Sequence, residues 1–409
     1  MTVTPGIEFD PYDRAFLDDP YPTYARLREE APVAYDAERD LTFFARHDDV
    51  TAVLRDARFG RRATHRLDPQ DLSRPEVGSG YPTWERFVRG SFIDLEPPEH
   101  TRLRALVAPA FRKRSAELLR PLLDATADRL LDELLERDAV DMIADYATPI
   151  PVEMITALMG VPEADHPMLL DWSHAIVRLF DYDATPDEGE AAERAVGEFV
   201  AYLRPIVRRR RAEPGDDLIS QMAAARHDGE PYSDDDVVAT AILTLNAGHE
   251  ATVHAIGNAV LALGRHPDVF AALRDEPSLV PGAAEELLRY DTPLQMFERW
   301  VLEDVDWRGH RLERGTKVGL LFGSANRDAE VFDDPDRIVP TRDHRLHVSF
   351  GGGVHHCVGA PLARVELEVA LGALVRRVAR IGLESREPER IHSLVFRGVT
   401  SLPALLQAA

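Results

Sequence analysis

The sequence predicts a mainly α fold with a small β-rich lobe. Residues 233–264 read as one uninterrupted helix of about 30 residues, and helical patterning fills most of residues 101–290. Strand-like alternation, by contrast, is confined to residues 41–45, 296–302 and 316–322. A chain of 409 residues exceeds the usual size of one domain. No Ser/Gly linker or repeat divides it, so residues 1–409 are expected to form a single unit.

Taken in order, residues 20–30 and 48–57 read as short helices around the strand at 41–45. Residues 64–90 are rich in Pro, Gly and Ser, which predicts a long loop of the kind that often covers a binding site. Helices are expected at 101–135, 149–159 and 191–211, with residues 169–190 as a mobile connection between two of them. Ser233 opens the long helix, because its Ser-x-x-Asp spacing to Asp236 is a capping signal. His266-Pro267 then stops it. At 1.5 Å per residue this helix spans roughly 45 Å, enough to cross the molecule. Helices at 267–274 and 281–290, strands separated by Gly309 and Gly315, and a last helix over about 358–379 complete the reading.

The net charge of -23, from 71 acidic and 48 basic residues, argues against nucleic acid or an anionic membrane as a partner. Residues 1–10 lack a basic and apolar leader, and no run reaches about 18 apolar residues. A soluble, cytoplasmic protein is therefore expected, with a hydrophobic content of 44% that supplies ample core. The chain has one cysteine, Cys357, which excludes an intramolecular disulfide. A lone cysteine is ordinarily a small buried hydrophobe.

Its neighbours point elsewhere. In Phe350-Gly-Gly-Gly-Val-His-His-Cys357-Val-Gly359 the glycines allow positive φ and close approach to a flat group. Cys357 falls at or just before a helix N-terminus, where the dipole and free amides favour the metal-ligating thiolate. One thiolate excludes multi-cysteine zinc and iron–sulfur sites, and His355 and His356 are too close in sequence to complete a tetrahedral set with it. One thiolate in a Gly-rich loop is what a haem-thiolate centre requires.

At Phe350, Gly351, Gly353, His355, Cys357 and Gly359 the sequence resembles the Phe-Gly-x-Gly-x-His-x-Cys-x-Gly loop of the cytochrome P450 superfamily. The resemblance spans essentially the whole chain and implies the cytochrome P450 fold, haem b, and Cys357 as axial iron ligand. It also implies O2 as oxidant and ferredoxin with its reductase as electron source. Glu286 and Arg289 resemble the family's Glu-x-x-Arg structural pair, although by spacing alone they are an ordinary solvated i, i+3 pair. His100 and Arg104, which could equally form an exposed basic face, resemble its propionate clamp. Arg299 and His355 match two further propionate contacts.

In Asn246-Ala247-Gly248-His249-Glu250-Ala251-Thr252, Ala247, Gly248 and Glu250 fit the family's oxygen-side pattern. Its Thr position holds Ala251, and Thr252 comes one residue late, about 100° around the helix. Gly248 is either a helix contact or the place where a ligand opens a bulge for dioxygen. Some macrolide-tailoring members also carry Ala here, so a substrate hydroxyl or ordered water is expected to assist Glu250 in proton delivery. By family position the pocket is expected to be lined by the loop at 61–92, the connection at 169–190, residues 293–297 and the turn near Val395, with Leu243, Ala247, Leu294, Met296 and Phe396 as its named residues; these mostly apolar positions point to a lipophilic small molecule. Arg102, Arg112, Lys113 and Arg114 form a local basic stretch, either an ordinary solvated face or a dock for an acidic ferredoxin. Rival readings are a haem-thiolate peroxygenase or coupling enzyme, and a haem sensor or carrier.

Overall fold

The computed structural model describes residues 10–409 except 77, 79, 344 and 345; the leader reading of residues 1–9 lies outside them. A mainly α body carries a five-stranded and a three-stranded sheet, together with two two-stranded hairpins. Its axis is the 32-residue helix Asp234–Arg265. The Ser233 hydroxyl accepts from the Asp236 N–H, while the Asp236 carboxylate accepts from the Ser233 N–H. Asp234, Asp235 and Asp236 add negative charge at the positive end of the helix dipole. Past the capped turns the helix is apolar on nearly every face and is buried by neighbours on all sides, as a helix without a polar stripe must be. Those neighbours include Pro149–Met159, Pro186–Ala212, Val280–Tyr290 and Ala360–Arg377.

The larger sheet runs Val33–Asp36, Leu41–Phe44, Lys317–Leu321, Met296–Val301, Phe59–Gly60, and only the Leu41–Phe44/Lys317–Leu321 pair is parallel. Phe44, Val50, Phe59, Val301, Val318 and Phe322 form a core beneath it that is separate from the helical core. A three-stranded sheet pairs Val378–Leu383 and Pro403–Ala408 with Val140–Asp141.

Three expectations change. The loop placed at 64–90, which includes the undescribed residues 77 and 79, contains the short helix Pro82–Trp84 continued by a π-type turn, Glu85–Arg89. Trp84, Phe87 and Val88 are buried there, at a helical i, i+3, i+4 spacing that the surrounding Pro and Gly residues masked. The first half of the connection placed at 169–190 belongs to the helix His166–Arg178, anchored by buried Leu169, Ser173 and Ile176. The Thr185/Glu188 capping box then starts Pro186–Ala212, leaving only residues 179–185 to connect the two. The helix placed at 101–135 breaks at residues 108–112, around Pro109, into Glu99–Val107 and Lys113–Leu134.

Candidate functional site

The cysteine loop is closed by its own backbone, the Cys357 N–H donating to the Phe350 carbonyl at 2.9 Å. Gly351 and Gly353 take φ of +67° and +65°. A side chain at Gly353 would also strike the Leu54 carbonyl, 2.1 Å from the position of its Cβ. Burial pushes the Cys357 thiol up, but the N–H groups of Gly359 and Ala360, Arg104 and Arg364 all favour the thiolate. Those amides open the helix Ala360–Arg377, so the sequence places the sulfur at a helix N-terminus. The sulfur is surrounded by protein yet accessible, because it borders a cavity.

That cavity has a volume of about 320 Å³. The long helix lines it with Leu243, Ala247, Glu250, Ala251 and Thr252, and the β-lobe contributes Leu294, Met296 and Arg299. Phe396, Phe350, His355, Gly359 and Cys357 complete this part of the wall. All five residues expected in the pocket are therefore present. Val88, Phe92, Ile176 and Phe180 join them from the two segments, 61–92 and 169–190, expected to line the pocket. Sequence reasoning missed a charged arc in the wall. Arg61 pairs with Asp94 at 2.5 Å, and Lys317 pairs with Glu298 at 2.6 Å.

Next to the cysteine, the His100 and His355 rings pack at a tilt of 60°, with centroids 4.5 Å apart. Both nitrogens of His100 and Nε2 of His355 are buried without a hydrogen-bond partner, Nε2 of His355 lying 3.5 Å from Glu96. Burial, with His355 and Arg104 nearby, drives the His100 imidazole down to about 4. Arg299 is 3% exposed, donates to the Glu298 carbonyl at 2.7 Å and has no carboxylate partner among the described residues. Burial, reinforced by Arg61, lowers its guanidinium to about 9. Buried donors without acceptors are costly in isolation, and together they fit a planar ligand bearing carboxylates. Arg104, half-buried, instead donates to the His356 carbonyl at 2.6 Å.

Across the cavity the long helix continues unbroken through Gly248, so no bulge is present. A Cβ there would lie 2.6 Å from Ile155 Cγ1, so close packing of Pro149–Met159 accounts for the glycine. Glu250 sits among three histidines, with His249, His174 and His254 Nε2 atoms 3.5, 3.7 and 3.7 Å from its oxygens. Burial pushes its carboxyl up, yet His254, His249 and His174 outweigh it and hold the group near about 2. Glu250 is therefore a carboxylate, not a stored acid. The Thr252 hydroxyl bonds Glu366, an acid 1% exposed that burial raises to about 8. Glu366 also lines the cavity. The only trace of it in the sequence is a charge amid Val365, Leu367 and Val369 of the last helix.

Away from the cavity, Glu286 and Arg289 are fully buried, joined by two 2.8 Å contacts. Arg289 also donates to the carbonyls of Asn326 and Pro335, and Glu286 accepts from Val339 N–H and Arg342. Such a closed network locks the meander before the cysteine loop onto the helix Val280–Tyr290. The basic stretch is smaller than the sequence indicated, because Arg102 is taken by Glu99 and Asp236. Arg112, Lys113 and Arg114 are exposed and have no ion-pair partner among the described residues.

The family model described as Cytochrome P450 matches residues 72–394. Cytochrome P450 107B1 of Saccharopolyspora erythraea is 38% identical over 402 residues, covering 96% of each chain. Mycinamicin IV hydroxylase/epoxidase of Micromonospora griseorubida is 38% identical over 393 residues, 93% of this chain and 94% of that one. The structure of the bacillaene polyketide synthase cytochrome P450 PksS of Bacillus subtilis 168 superposes with a TM-score of 0.88 at 33% identity. That superposition covers 98% of this chain and 100% of PksS. A helical body with a buried Glu–Arg pair, a thiol under a helix N-terminus and near full-length relatives lead to one assignment: the chain belongs to the cytochrome P450 family and is a haem-thiolate monooxygenase.

Proposed function

We propose that this monooxygenase holds haem b through Cys357 and hydroxylates or epoxidises a lipophilic, macrolide-like natural product. The observation that carries the reading is the Cys357 sulfur, backed by helix amides and opening on an apolar-walled cavity. When bound, haem supplies O2 activation and insertion of one oxygen atom. His100, Arg299 and His355 would hold its carboxylates, for the two histidines carry buried ring nitrogens without a partner and Arg299 is a buried guanidinium without a carboxylate, and Arg104 would help from the edge of the cavity. Phe350 and Gly359 border the sulfur side, and Glu286 with Arg289 keeps the loop in place.

On the other side, burial raises Glu366 to about 8, so it keeps its proton at neutral pH beside the Thr252 hydroxyl. Glu250 attracts positive charge toward the cavity. Ala251 leaves the usual alcohol position without a hydroxyl, so a substrate hydroxyl or ordered water supplies it. Leu243, Ala247, Leu294, Met296 and Phe396 would face the substrate. The relative named for mycinamicin IV and the polyketide-synthase P450 support the substrate class. Electrons would come from a ferredoxin and its reductase, docked at Arg112, Lys113 and Arg114, because a chain of net charge -23 offers an acidic partner few other landing places. Residues 1–409 act as one unit in this reading, in the cytoplasm; no described helix is long and apolar enough to cross a membrane.

The test is a macrolide panel screened by the low-to-high-spin shift of the haem band, with products then measured under two regimes. Product from reduced ferredoxin and O2 supports the reading. Product from peroxide alone would move the chain to the peroxygenase reading.

A further inference from the structure

We infer that His174, His249 and Glu250 form a binding site for a divalent transition-metal ion of the zinc type, distinct from the cysteine loop. His249 Nδ1 lies 2.7 Å from the Leu245 carbonyl, which can only accept, so Nδ1 carries the proton of the neutral ring. Nε2 then presents a lone pair. It is buried, has no hydrogen-bond partner and faces Glu250 Oε2 at 3.5 Å. Two acceptors pointed at each other across that distance call for a cation between them. His174, on the helix His166–Arg178, brings its Nε2 to within 3.7 Å of the same oxygen.

All three ligand atoms lie within 4.8 Å of one another. Zinc bonds of about 2.0–2.2 Å in tetrahedral geometry place ligand atoms roughly 3.4 Å apart, close to the separations present. Two imidazoles and one carboxylate are a zinc-type donor set, whereas magnesium and calcium prefer oxygen alone. The Leu245 carbonyl holds the His249 ring as the outer partner of a ligating histidine does. His254, 3.7 Å from the other Glu250 oxygen, orients the carboxylate from the far side. The His174 side chain is 62% exposed, which gives an ion a route in from the surface. Metal binding here does not depend on the reaction proposed above.

The test is equilibrium dialysis of the haem-loaded protein, stripped with chelator and then titrated with zinc chloride, with bound metal read by elemental analysis. His174→Ala alters an exposed side chain and should fold normally; His249→Gln removes the buried ligand, and His227→Ala removes an exposed histidine elsewhere. The expected result is one zinc per wild-type chain, weakened about tenfold or more in His174→Ala and in His249→Gln and unchanged in His227→Ala. Equal zinc affinity in wild type and His174→Ala would overturn the site, as would no binding by the wild type.

Discussion

Glu250 and Glu366 border the same cavity, and their surroundings push them in opposite directions. The imidazoles around Glu250, His254 first among them, hold it ionised, whereas burial keeps Glu366 protonated, raised to about 8. The unfolded chain releases the Glu366 proton above its ordinary value of 4.5. The folded state therefore loses stability as pH rises from that value through the folded one, by up to about 1.4 kcal/mol per pH unit. Glu366→Gln mimics the protonated acid. Its stability advantage over wild type should grow between about pH 5 and about pH 8 in denaturant titrations, and a constant difference would show that Glu366 is ionised. At Ala251, a threonine restores the family's alcohol. Ala251→Thr should change the fraction of electrons recovered as product rather than as peroxide; an unchanged fraction would remove the role assigned to the substrate hydroxyl. Residues of this kind differ in how legible they are. Cys357 was readable because a lone thiol among glycines has few other uses. Glu366 was not, because in sequence it is one more helix acid.

At the scale of elements, the helices that could be read were those whose ends are punctuated: Ser233 with Asp236 at the start of the long helix, Pro267 just after it. The helical form of Glu85–Arg89 was hidden by the Pro and Gly residues around it, and that of His166–Arg178 by the Pro, Asp and His that interrupt its apolar spacing. That second helix carries His174, so the histidine cluster around Glu250 depends on a tertiary contact no local pattern announces. Gly248 was read with its alternatives open, and the structure assigns it to a helix crossing with Ile155. Gly248→Ala should cost about 1–3 kcal/mol by overpacking. With Ile155→Ala in the background the two costs should add to less than their sum in a double-mutant cycle, since the space vacated by Ile155 accepts the new methyl. Strict additivity would mean the two residues do not press on each other.

For the whole molecule, charge is the property that reaches farthest. The chain is strongly acidic, and three neighbouring cations at residues 112–114 are exposed at the start of the helix Lys113–Leu134. Reversing them, as Arg112→Glu with Lys113→Glu, should slow first-electron transfer from an acidic ferredoxin by about tenfold or more at low salt, with the deficit shrinking as ionic strength rises. An unchanged rate at low salt would place docking elsewhere. The fold class was legible because long helical runs and few strands are global features. What brings Cys357, His355, Arg299 and the Glu250–Thr252 segment around one cavity, with His100 packed behind His355, is visible only in three dimensions. The central claim is that Cys357 is the thiolate ligand of a haem in that cavity. The measurement that tests it most directly is the reduced, carbon monoxide-bound difference spectrum of the haem-loaded protein and of Cys357→Ser. Wild type should show the strongly red-shifted Soret band of thiolate ligation and the variant should lose it; a wild-type band at the shorter wavelength of a non-thiolate haem, or a red-shifted band retained by Cys357→Ser, would contradict the account.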